Sequence, residues 1–134
     1  MQVITTEMEG RRRRIWVSER SLVGERTLAP ARYRGKWFHV TADNKPAYKP
    51  RFDDVGPFVN VGGGLFLAAV RLGQVGFHIR PDGKPAYRKR FRWVRDFGLV
   101  GSWFLAEARV ISNAQNQTPD LLLVYISRFG NIVK

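Results

Sequence analysis

The sequence predicts a mainly β fold built from tandem β-hairpin repeats of about 39 residues, solenoid- or propeller-blade-like, on three observations. Residues 37–58 laid over residues 76–97 give 11 identities in 22 positions without a gap, at a shift of 39. Within each copy, Phe38-His39-Val40 and Phe77-His78-Ile79 alternate apolar, polar and apolar side chains, the period of a half-buried strand. Each triplet runs into turn chemistry, Ala-Asp-Asn-Lys in one copy and Pro-Asp-Gly-Lys in the other, where Asn and Gly accept a positive φ at low cost.

Taking the elements in order, the first is an echo of the third. Residues 13–32 match residues 90–109 at a shift of 77 in 10 of 20 positions, among them Trp16 with Trp93 and Arg32 with Arg109. The chain is therefore expected to hold two and a half units within residues 1–110: a half unit over 13–32, then 37–71, then 76–110. In the two full units, Pro46 and Pro85 follow the turn and impose an extended or edge conformation, since proline donates no ladder hydrogen bond. A second strand is expected after them. Its aromatic slots, with those of the first strand, make up the predicted repeat core: Phe38, Phe52 and Phe58 in one unit, Phe77, Phe91 and Phe97 in the next. Glycines at 62–64, 98 and 101 mark the following bend, and the runs LFLAAV and WFLAEARV come after it. Strand is favoured for both, with a short helix near the C-terminus as the alternative for the second. Residues 111–134 match no unit and are expected to form a divergent cap or tail. A start inside a unit and a loss of register after residue 110 would both follow from a truncated or shifted reading frame.

The motif F-H-x-x-x-D-G-K-P-A-Y-x-x-R-F-x-x-V-x-x-F, present at Phe77–Phe97 and, with Asn for Gly, at Phe38–Phe58, resembles the bacterial WG repeat, also called the KWG repeat. The resemblance covers about 95 of the 134 residues. It implies a tandem β-rich repeat protein without established catalytic residues or cofactor. The segments after Phe58 and Phe97 are less polar and differently spaced than that pattern. Solenoid, propeller blade and closed barrel all stay open, and so few units would leave an isolated array marginally stable.

Composition narrows the function. The chain has 134 residues, 44% hydrophobic and 13% aromatic, enough for one packed domain. Absence of cysteine removes disulfides, thiolate zinc sites and thiol nucleophiles. The longest apolar runs, Leu65–Val70 and Leu121–Ile126, fall far short of the roughly 20 residues that span a bilayer. With no apolar stretch in MQVITTEMEG to serve as a secretory signal, the expected address is cytoplasmic.

Candidate chemistry is sparse. His39 and His78 share one slot of the repeat and are read as structural, with no metal and no cofactor expected. Asp43 and Asp82 are read as turn residues. The Asp53-Asp54 pair has no counterpart at Arg92-Trp93, and the glycines at 62–64 lack the Gly-Lys-Ser/Thr of a phosphate loop. No enzyme is expected.

Basic charge is the strongest remaining signal. Of the net +12, five charges fall in residues 1–36 (9 minus 4) and five in 72–110 (8 minus 3). Arg88, Lys89, Arg92 and Arg95 are the predicted polyanion contacts; on a strand Arg88, Arg90 and Arg92 would share one face and Phe91 and Trp93 the other. Arg11, Arg12, Arg13 and Arg14 form a flexible second contact. Arg51 and Arg90 are assigned packing duty on the Tyr48 and Tyr87 rings. The expected function is a non-catalytic binding scaffold for a protein partner or further repeats of a longer array, with RNA, DNA or polyanion binding as the alternative.

Overall fold

The computed structural model describes residues 1–111 and 121–133, and every regular element among them is a strand. A first sheet holds β1 (Gln2–Met8), β2 (Arg11–Val17), β3 (Ser21–Val23), β4 (Arg26–Tyr33) and β5 (Lys36–Val40). A second holds β6 (Asp54–Val55), β7 (Val59–Asn60), β8 (Phe66–Leu72) and β9 (Val75–Ile79). A third holds β10 (Trp93–Val94), β11 (Gly98–Val100), β12 (Trp103–Ile111) and β13 (Leu121–Ile126). All pairings are antiparallel.

One scheme serves all three sheets. A long strand (β4, β8, β12) receives two strands in succession along one edge, short ones except for β2, and the next strand in sequence along the other; the first sheet adds β1 beyond β2. Pro30 sits on β4 between the stretch paired with β2 and the stretch paired with β3, so its missing N–H interrupts neither ladder. The bridges Trp37↔Phe52 and Gly76↔Phe91 carry the chain from each sheet to the next.

The alternative of a C-terminal helix for WFLAEARV is corrected by β12. Its backbone groups are spent on β10 and β11 along one edge and β13 along the other, and this pairing overrides the helix preference of Leu, Ala, Glu and Arg.

The turns after β5, β9 and β13 share a hydrogen-bond set. Thr41 N–H donates to Lys45 O and Asn44 N–H to Thr41 O; Arg80 with Lys84 and Gly83 repeats the pair, as does Ser127 with Asn131 and Gly130. The last of these lies in the segment expected to be a cap or tail. Tyr125 takes the slot of His78 there, and Val133 N–H bonds Tyr125 O as Ala86 N–H bonds His78 O. The step from His78 to Tyr125 is 47 residues against 39 between the histidines, so about eight extra residues between β12 and β13 hid the match.

The third residue after each of these turns' first position has φ near the left-handed region: Asn44 at 66°, Gly83 at 83° and Gly130 at 79°. At the last two a second constraint acts. A Cβ on Gly83 would stand 2.6 Å from the Tyr48 ring, and one on Gly130 2.5 Å from the Tyr87 ring. Each tyrosine thus seats on the glycine of the following turn. Gly83→Ala is expected to lower stability by about 2–5 kcal/mol, from left-handed strain plus overpacking. A urea melt measures it, and an unchanged midpoint would show that Tyr48 does not seat there.

The core runs continuously through the sheets. Phe38, Phe52, Phe58, Phe77, Phe91 and Phe97 are all buried, together with Ile15, Leu28, Leu67, Ile79 and Ile126. Phe52 meets Phe77 edge-on with ring centroids 6.1 Å apart, joining the two aromatic sets across the sheet boundary.

Candidate functional site

A buried imidazole must satisfy two ring nitrogens, and both histidines do so identically. His39 Nδ1 lies 2.6 Å from the Tyr48 hydroxyl and its Nε2 2.8 Å from Gly56 O; His78 repeats this with Tyr87 at 2.6 Å and Arg95 O at 2.8 Å. A carbonyl only accepts, so Nε2 carries the proton and Nδ1 accepts from the tyrosine. Phe58 and Phe97 cover the rings at 4.4 Å. Burial holds each imidazole at a pKa of about 4, with the carbonyl bond pulling weakly the other way, and burial pushes both phenols well above their usual range. No lone pair is left for a metal or a substrate proton.

Arg51 and Arg90 hold packing positions, with a corrected partner. Their guanidinium carbons lie 4.3 and 4.0 Å from the Phe38 and Phe77 ring centroids, not on Tyr48 or Tyr87. From there Arg51 Nη1 donates to the carbonyls of Tyr48, Lys49 and Pro50, and Arg90 Nη1 to those of Tyr87, Arg88 and Lys89. Three successive carbonyls converging on one nitrogen require a bend, because on a strand they would point alternately to opposite sides.

That bend corrects the predicted cationic strand. Arg88 and Lys89 are exposed on it, and regular pairing resumes only at Trp93. Arg92 reaches back to Gln74, bonding its carbonyl at 3.3 Å and also its side-chain oxygen. Arg95 lies 3.6 Å from the Glu107 carboxylate and 5.2 Å from the Trp93 ring centroid. Arg11, Arg12, Arg13 and Arg14 are corrected too: they lie on β2, fixed in register against Met8, Glu7, Thr6 and Thr5, rather than in a flexible arm. Arg13 turns partly inward, 3.8 Å from Glu9 and 5.6 Å from the Tyr33 centroid.

Three of the clefts among the described residues bear on function. The first, about 450 Å³, is lined by Arg71, Gly73, Gln74, Arg92, Trp93 and Arg109. Its walls contain three guanidinium groups and no carboxylate. Arg71 and Arg109 were not among the predicted contacts, yet Arg71 stands 39 residues after Arg32 and Arg109 is its match at 77. Two acids lie near Arg71: Asp54 is its cross-strand partner, and Asp53 has both oxygens engaged, by Lys36 Nζ at 2.6 Å and the Gly73 N–H at 2.6 Å; the Lys36 bond and then the Gly73 bond hold the pKa of Asp53 below the usual carboxylate value.

Trp93 and Arg71 also border a neighbouring cleft of about 530 Å³ that holds Asp54 and Asp96. Burial, and then Asp54, raise the pKa of Asp96, which closes over Gly56. The imidazole beneath it, His39, is already committed to the Gly56 carbonyl, so no base faces these carboxylates. A third cleft, about 470 Å³ and mainly apolar, lies among Val61, Trp103, Phe104, Phe129 and Val133. Arg128 crosses it to bond the Val61 and Gly62 carbonyls at 3.2 and 3.1 Å. Trp103 is 73% exposed and Phe129 63%.

No protein-family model, curated protein or solved structure matches this chain.

Proposed function

We propose that the chain is a non-catalytic, tandem β-repeat module of the WG type that binds a protein partner. The recurrence of the His–Tyr–carbonyl set and the Arg-on-Phe bend at a spacing of 39 residues, and of the Tyr-on-Gly seat with its tyrosines 39 and its glycines 47 residues apart, supports the repeat reading. The observation that carries the binding reading is the apolar cleft between Trp103 and Phe129, whose rings stand largely in solvent beside exposed Leu99, Val100 and Val133. Isolated exposed apolar residues are ordinary, but a contiguous group around a cleft marks an interaction surface. Both imidazoles and Asp53 are engaged in structural bonds, which argues against catalysis.

Photo-crosslinking from position 103, followed by reconstitution with the purified captured protein, tests this. Trp103→Ser with Phe129→Ser is expected to abolish the reconstituted complex while leaving the melting transition in place. A complex equally strong with the double variant would sink the reading. A second reading, polyanion binding, is favoured by the cleft that gathers Arg71, Arg92 and Arg109 without a carboxylate.

A further inference from the structure

We infer that this arginine cleft is a binding site for single-stranded nucleic acid, holding successive phosphates on Arg71, Arg92 and Arg109 and one base against Trp93. The inference rests on the polyanion reading and gives it a place and a ligand. Three separate stretches of chain contribute the cations: Arg71 from the end of β8, Arg92 from the residue before β10, and Arg109 from β12. Among the described residues none of the three is ion-paired to a carboxylate, although Asp54 stands opposite Arg71 across the β6–β8 ladder. Arg71 donates only to the carbonyls of Gly73 and Asp53, at 3.4 and 3.5 Å, and Arg92 only to the neutral groups of Gln74. Each guanidinium has five N–H groups, so donors are left over, and a phosphate would be the first anion they meet.

Trp93 decides for a nucleic acid over an acidic peptide. It is half-buried, forms the wall between this cleft and the next, and has the guanidiniums of Arg95 and Arg109 within 5.2 and 6.0 Å of its ring centroid. An aromatic wall beside phosphate donors is what binds an unstacked base, whose π face is accessible only in a single strand. A second Trp–Arg couple stands at the matching place of the first sheet, where Trp16 on β2 is paired with Arg32 on β4 just as Trp93 is paired with Arg109. In the second sheet the couple is replaced by Asp54 opposite Arg71. A Trp–Arg couple on two of the three sheets suits a linear polymer better than a single small anion.

The test is fluorescence anisotropy of a labelled oligouridylate, titrated with the full chain from about 20 mM to about 200 mM salt. For the wild type, log affinity is expected to fall with log salt at a slope of about −2, the value for roughly three phosphates on a single strand. Arg71→Ser with Arg109→Ser should weaken binding about tenfold or more at low salt and flatten the slope by about 1.4, with the melting transition retained. Arg71→Lys with Arg109→Lys should restore most of the slope but not all of the affinity, since lysine keeps charge without the planar fork. Arg11→Ser, Arg12→Ser and Arg14→Ser together remove more charge and should change affinity less.

The outcomes separate the two levels of the reading. No wild-type binding at the lowest salt would reject polyanion binding altogether. Wild-type binding that survives in the cleft variants, but is lost with the β2 variants or with Arg88→Ser and Lys89→Ser, would reject the cleft alone. Equal affinity for duplex DNA would overturn the single-strand assignment.

Discussion

Lowering the pH from about 7.5 to about 4 should remove up to about 6 kcal/mol of folding free energy through two side chains, His39 and His78. Each imidazole titrates at 6.5 when free and at about 4 in the folded chain, because burial opposes its charged form. The unfolded chain therefore binds protons first. The stability is complete above about pH 6.5, falls by about 1.4 kcal/mol per pH unit for each histidine below that, and stops falling beneath about pH 4. A loss of that size is comparable to the whole stability of a small domain, so unfolding is expected before the carboxylates titrate. Asp53 and Asp43, whose pKa values are held low, weaken the fold only at still lower pH; Asp96, raised by burial, works the other way and softens the loss. Urea midpoints at a series of pH values measure the effect. In His78→Gln the slope should fall by half, whereas an undiminished slope would place the acid sensitivity elsewhere.

Phe77→Ala should cost about 3–5 kcal/mol, the range for a buried aromatic truncated in a core. Phe77 is 4% exposed, touches Phe52 across the sheet boundary and lies under the Arg90 guanidinium at 4.0 Å. Its loss opens a cavity and removes the platform that positions Arg90 over three carbonyls. Phe77→Leu fills much of the volume without the ring face, so comparing the two separates packing from the cation–π contact, worth about 1–2 kcal/mol when desolvated. Equal midpoints for wild type and Phe77→Ala in denaturant would contradict this account of the core.

Much of the β structure is legible in the sequence for a physical reason. Phe38 and His39 match Phe77 and His78 in the sequence, and all four side chains are buried, so one packing constraint is written twice in the chain. Arg90 recurred for the same reason, but its ring partner was misassigned. Tyr87 is three residues away and Phe77 thirteen, and only the bend that Arg90 itself creates brings the more distant ring beneath it. That bend also dissolved the expected cationic strand. WFLAEARV kept its helix alternative because short apolar runs carry little periodicity, and its partner strands lie outside the window that shows it. The arginine cleft was hidden for a related reason: Arg71, Arg92 and Arg109 are far apart in sequence and meet only when adjacent sheets are joined.

The seating of Tyr48 on Gly83 and of Tyr87 on Gly130 has a consequence for how the chain opens. Each contact reaches one turn onward and no farther, so cooperativity is transmitted link by link, as in a one-dimensional chain of coupled segments. Amide exchange in such a molecule is graded rather than uniform: a segment with a seated neighbour on both sides opens less often than one held on a single side. The eight-residue difference between β12 and β13 leaves the Tyr87–Gly130 link intact. Length can therefore drift at the hairpin tips for little free energy, because loop closure grows only logarithmically with length, while the seats themselves stay in step.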